Sequence, residues 1–169
     1  MTTNEDKKNY SKIMLIGSGG AGKSSYKKKL ISNEFETKYI PTLNMEVFTL
    51  EDGLYNIWDC AGQERYSGLK EIYWINSKAV IIMFDLTSRL SYKEATVYFR
   101  QVRNILPNTP IILCGNKTDC NDAKTLYKTR DWDNKTYYCE ISVKTGYNLY
   151  KPLELVEQQL NTTPNYSKI

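Results

Sequence analysis

A chain of 169 residues suits one compact domain with its own core. Its 41% hydrophobic and 25% charged residues are an ordinary globular balance, and a net charge of +4 is too mild to argue for nucleic acid as a partner. Histidine is absent, which excludes Ser-His and Cys-His nucleophilic pairs, histidine metal sites and histidine pH switches, so any catalysis must run on carboxylates, lysine, amides, backbone and bound metal.

In chain order, residues 1–9 are polar and read as a loose arm, residues 10–161 as the folded domain and residues 162–169 as a short tail. Ile13-Met14-Leu15-Ile16 is a buried strand, and Ser24 to Ile31 the helix after it. Met45–Leu50 and Leu54–Trp58 flank Glu51-Asp52-Gly53, the pattern of a hairpin. Ala79 to Phe84 is apolar throughout, as a strand covered on both faces must be. Tyr92 to Leu106 carries Ala95, Tyr98, Phe99, Val102 and Leu106 at helical spacing, with Ser91 as N-cap and Pro107 beyond the end. Ile111 to Cys114 and Tyr137 to Ile141 are further strands, and Leu149 to Leu160 is the last helix, with Pro152 in its first turn. Strands alternating with helices predict an α/β domain whose ligands sit at the carboxyl ends of a largely parallel sheet.

Gly17-Ser18-Gly19-Gly20-Ala21-Gly22-Lys23-Ser24 follows the first strand and opens the first helix. The spacing G-x-x-x-x-G-K-S is a phosphate-binding loop. Glycines let the backbone curl its N–H groups onto phosphate oxygens, Lys23 reaches the β and γ phosphates, and the Ser24 hydroxyl can ligate Mg²⁺.

The base is chosen elsewhere. Asn116-Lys117-Thr118-Asp119 comes directly after a strand. The Asp119 carboxylate can accept from guanine N1–H and the exocyclic amine, donors that adenine lacks, and the Lys117 stem can lie along the base plane. Ser142-Val143-Lys144 follows the last strand, where a backbone N–H can reach guanine O6 and Lys144 can cover the other side. Asp59 follows the strand ending at Trp58 and is expected on the Mg²⁺ side, acting through water, with Gly62 offering an N–H to the γ-phosphate and Gln63 placed to orient water. Thr42 can ligate Mg²⁺ and touch the γ-phosphate, contacts that exist only with a triphosphate, so the loops around Thr42 and Gly62 are expected to act as switches.

With those residues in place, Tyr10 to Leu160 resembles the Ras superfamily, and several stretches are similar to the Ran family of nuclear-transport GTPases. These are residues 38–43, 58–64, 81–89, 113–117 and 147–152. The resemblance implies a P-loop NTPase fold, with a central, mostly parallel six-stranded sheet, one antiparallel edge hairpin strand and helices on both faces. It implies GTP/GDP and Mg²⁺ as ligands, with Lys23, Thr42, Gly62 and Gln63 in catalysis and Ser24, Thr42 and Asp59 on the metal. Nucleotide contacts extend to Gly19, Gly20, Ala21, Gly22, Ser25, Phe35 and Tyr39, with the Phe35 ring edgewise on guanine. Implied partners are an exchange factor, a GTPase-activating protein and importin-β-type carriers, with residence in nucleus and cytoplasm and a monomeric state. No arginine precedes Thr42 in its loop, so intrinsic hydrolysis is expected to be slow, on the order of 10⁻⁴ to 10⁻³ per second.

The sequence departs from the Ran pattern at Asn44, Cys60 and Val143, and in having neither an acidic tail nor a basic run at residues 130–135. The alternatives are a Rab-like vesicle GTPase and a weakly hydrolysing GTP-binding interaction module. The four cysteines, Cys60, Cys114, Cys120 and Cys139, form no Cys-x-x-Cys pair and read as reduced thiols. No stretch approaches the roughly 20 apolar residues of a membrane span. Thr2 is no myristoyl acceptor, and Asn165 to Ile169 hold no cysteine, so a soluble chain without lipid anchor is expected. Lys27-Lys28-Lys29 reads as a solvated helix face, and Trp58 and Trp74 as either core or switch-surface residues.

Overall fold

The computed structural model describes residues 9–38, 45–50, 55–60, 70–123 and 132–160. Its strands are β1 (Ser11–Gly17), β2 (Glu46–Leu50), β3 (Tyr55–Asp59), β4 (Ala79–Asp85), β5 (Ile111–Asn116) and β6 (Thr136–Glu140). The helices are α1 (Lys23–Ser32), α2 (Lys70–Trp74), α3 (Arg89–Ile105) and α4 (Lys151–Leu160). The strands form one six-stranded sheet in the order β2-β3-β1-β4-β5-β6. Only β2 runs antiparallel, pairing Leu50 with Tyr55 and Glu46 with Asp59 across the hairpin; its turn at Glu51-Asp52-Gly53 lies outside the described residues.

Alternate side chains of the central strands leave opposite faces. Ile13, Leu15, Ile57, Ile81, Met83 and Ile112 meet Tyr26 of α1 and Leu153 and Val156 of α4 on one side. Met14, Ile16, Val80, Ile82, Phe84 and Leu113 meet Ala95, Tyr98 and Val102 of α3 on the other. Both faces are covered, which explains why β4 and β5 read as unbroken apolar runs.

The structure corrects one sequence expectation and sharpens two others. Helix α3 starts at Arg89, and its N-cap is Ser88, whose hydroxyl accepts from the Ser91 N–H at 3.2 Å. Ser91 is instead buried inside the first turn, with its hydroxyl engaged elsewhere. Trp74 is core: it ends the short α2, which the apolar periodicity does not reveal, and is buried in the α3-side cluster. Trp58 is half-buried, with the Lys12 ammonium 4.0 Å from its ring centroid. The Lys27-Lys28-Lys29 run lies on a partly exposed helix face and is engaged at the surface: Lys27 pairs with Glu46, Lys28 with Glu34 and Glu36, and Lys29 donates to the Asn33 carbonyl at 3.3 Å.

The chain leaves β1 for β2 and β3 on one side, then crosses to β4 on the other. The carboxyl end of β1 is thus the point where strand order reverses, and a crevice opens there. Gly17, Asp59, Asp85 and Asn116 are the last residues of β1, β3, β4 and β5, so they share that edge. Gly17 has φ of 147°, and a Cβ on it would lie 2.0 Å from the Met83 carbonyl oxygen of neighbouring β4. Gly17→Ala therefore forces β1 away from β4 and is expected to cost about 2–4 kcal/mol of stability, read as a lower urea midpoint; an unchanged midpoint contradicts this packing.

Candidate functional site

The phosphate loop takes its shape from Gly20 (φ 77°) and Gly22 (φ 102°), whose left-handed backbone suits glycine. A Cβ on Gly20 would meet nothing within 4 Å, whereas one on Gly22 would come 2.2 Å from the Asn116 amide nitrogen. Gly22 is also the N-cap of α1, and no side chain caps that helix end. A ten-residue helix with an N-terminus shaped by glycine and free of a side-chain cap offers its first N–H groups and its dipole to an anion. Lys23 is buried, and its ammonium donates to the carbonyls of Gly17 at 2.7 Å and Ser18 at 3.1 Å. A phosphate fits this cradle: glycines at the curl, a lysine folded over it and helix amides beneath.

The base side is built around Asn116, which is 3% exposed. Its Nδ2 donates to the Ala21 carbonyl of the phosphate loop at 3.0 Å. Its Oδ1 accepts from the Lys117 N–H at 2.8 Å and the Val143 N–H at 3.1 Å. One side chain thereby joins the phosphate loop, the segment after β5 and the segment after β6. The fully buried Ser142 donates from Oγ to Asp119 Oδ1 at 2.7 Å and accepts from the Thr145 N–H at 3.1 Å. Lys117 has φ of 74°, a strained conformation for a residue with a side chain, and its ammonium pairs with Asp85 Oδ2 at 2.6 Å. Burial pushes the Asp85 carboxyl up, but hydrogen bonds from Lys117 and Thr87 outweigh it and hold the group below its ordinary value.

Between these two halves lies a cleft of about 410 Å³. It is lined on the phosphate side by Gly19, Gly20, Gly22, Lys23, Ser24 and Ser25, and on the base side by Asn116, Lys117, Asp119, Val143 and Lys144, with Phe35 at its edge. Residues drawn from four separate stretches of sequence thus converge on one cavity of ligand size. Ala21 and Ser142 lie buried behind the wall and act through Asn116 and Asp119. Asp59 is fully buried at the end of β3, outside the cleft lining. Tyr39, Thr42, Gly62 and Gln63 lie outside the described residues.

Sequence reasoning missed Lys28, Glu36, Thr37, Lys38 and Cys120, which also line the cleft. The signal for Cys120 was its place directly after Asp119; Lys28 and Glu36 are ion-paired and frame the loop that carries Phe35. It also missed Asp85, whose partner Lys117 is 32 residues away. For Mg²⁺ the donor set fits the ion's chemistry: a hydroxyl at Ser24 in the cleft and a buried carboxylate at Asp59 are hard oxygen ligands.

A parallel sheet with a glycine-curled loop after β1 and a paired base loop after β5 defines a P-loop nucleotide-binding domain. Residues 12–162 match the model of the Ras family, and the chain belongs to that family. It is a small GTPase, a GTP-binding molecular switch of the kind that works with exchange factors and GTPase-activating proteins.

Proposed function

We propose that the cleft holds GTP or GDP with the phosphates on residues 19–25 and guanine between Phe35, Lys117 and Lys144, and that this chain hydrolyses GTP to GDP and phosphate. The observation that carries the reading is the Asp119 carboxylate, which lines the cleft and is fixed by Ser142. Fixed there, it pairs with the two guanine donors, and adenine would leave it without them. The Val143 N–H is engaged by Asn116 and the Ser142 N–H by the Tyr147 carbonyl, so the donor to guanine O6 is assigned to the Lys144 N–H. Lys23 exchanges its loop carbonyls for the β and γ phosphate oxygens and offsets charge as the bond to the γ-phosphate breaks. Gln63 orients the attacking water, and the Gly62 N–H and Thr42 contact the γ-phosphate. Mg²⁺ is held by Ser24, Thr42 and Asp59, and when bound it supplies charge neutralisation at the phosphates.

Within the family the Ran-like reading is preferred. Its support is the similarity of residues 81–89, 113–117 and 147–152, which run from β4 to the first residue of α3, through the end of β5, and into the start of α4. On this reading the protein works in nucleus and cytoplasm, and its triphosphate form engages importin-β-type carriers.

Two outcomes are expected. Asp119→Asn weakens GDP binding roughly 10- to 100-fold and leaves the weak ADP affinity unchanged; an unaltered GDP-to-ADP ratio would remove Asp119 from base selection. An importin-β-type carrier immobilised on beads retains the protein loaded with a non-hydrolysable GTP analogue and not the GDP form. Equal retention of both forms, or of neither, overturns the Ran-like reading.

A further inference from the structure

A second chain of contacts ties the phosphate loop to the base loop, on the α3 side of the sheet. The Ser18 hydroxyl in the phosphate loop meets the Ser91 hydroxyl at 2.6 Å, and both residues are buried. The Ser91 hydroxyl also accepts from the Asp85 N–H at 2.9 Å. The Asp85 carboxylate then meets the Lys117 ammonium at 2.6 Å, with Asp85 the more buried of the pair. The other carboxylate oxygen accepts from the N–H and hydroxyl of Thr87, at 2.8 and 2.7 Å. The Asp85 N–H and one of its carboxylate oxygens are thus held independently of Lys117. Lys117 lines the cleft on a strained left-handed backbone, a conformation that needs an external hold.

Resting on the guanine-nucleotide reading of the cleft, we infer that Asp85 is a positioning residue for nucleotide retention. It holds the Lys117 ammonium so that the lysine stem covers the base plane, and Ser91 couples that hold to Ser18 of the phosphate loop. A half-buried ion pair anchored by further hydrogen bonds keeps its geometry better than an exposed pair, whose worth is small. Its effect falls on the rate of nucleotide release, because it fixes one wall of the bound state without touching the phosphates.

The test uses the full chain loaded with N-methylanthraniloyl-GDP, following release after excess unlabelled GDP is added. Asp85→Asn keeps an oxygen for Thr87 and removes the charge that holds Lys117. It is expected to speed release roughly tenfold. In a Lys117→Ala background the same substitution is expected to change release less than twofold, because the pair is already gone. An equal effect in both backgrounds makes Asp85 a general structural residue and overturns the inference, as does no effect in either. Should Asp85→Asn fail to fold, the salt dependence of release decides. Raising salt from about 0.05 to 0.5 M speeds release from the wild-type chain and leaves Lys117→Ala much less sensitive, since screening acts on the ion pair; parallel salt responses overturn the inference. A wild-type chain that retains no labelled GDP would instead refute the nucleotide reading on which this rests.

Discussion

The buried side chain of Asn116 is the contact on which the site depends. It donates to the phosphate loop at Ala21 and accepts from Lys117 and Val143, so three segments far apart in sequence are held at one point. The constraint is steric as well as polar, since its amide nitrogen fills the space a side chain at Gly22 would need. The energetic logic is that of a buried polar network, which rigidifies when every member is satisfied and is costly when one is lost. The two halves of the cleft are therefore joined through one buried side chain.

The Asn116 contacts lie on the side of the sheet formed by β1, β4, β5 and β6. The strand ends there are set by parallel pairing and by apolar burial on both faces. On the other side, β2 is a single antiparallel edge strand, with Glu46 and Val47 exposed. A switch needs one part that holds the nucleotide whatever its state and another that changes with the γ-phosphate. The contact through Ser18, Ser91 and Asp85 lies where β1 and β4 adjoin, where it would govern how long a nucleotide stays rather than what is read out from it.

Much of this was legible in the sequence, for physical reasons. Strands covered on both faces must be apolar along their whole length, so β1, β4 and β5 stood out. The loop Gly17 to Ser24 was legible because close approach of backbone to phosphate leaves few residue types able to do it. Asn116, Lys117 and Asp119 were legible because they fall at the end of an apolar strand or just beyond it. What escaped were partnerships between residues distant in the chain. Ser91 reads locally as a helix cap, yet its hydroxyl partner is 73 residues away in the phosphate loop, and Ser88 caps the helix. Ser142 reads as a ligand contact, yet it works by holding Asp119. Asp85 gives no local signal, because an aspartate at a strand end is common and only the fold brings Lys117 to it. Trp74 had no periodic neighbours to mark it as core, since its helix has only five residues.

The most direct test of the account is calorimetric titration of nucleotide-stripped protein with GDP and with ADP in the presence of Mg²⁺. A cleft whose base wall is fixed by Asn116 and Asp119 predicts one GDP per chain, bound at least roughly 1,000-fold more tightly than ADP. Comparable affinities for the two nucleotides, or no GDP binding, would contradict it.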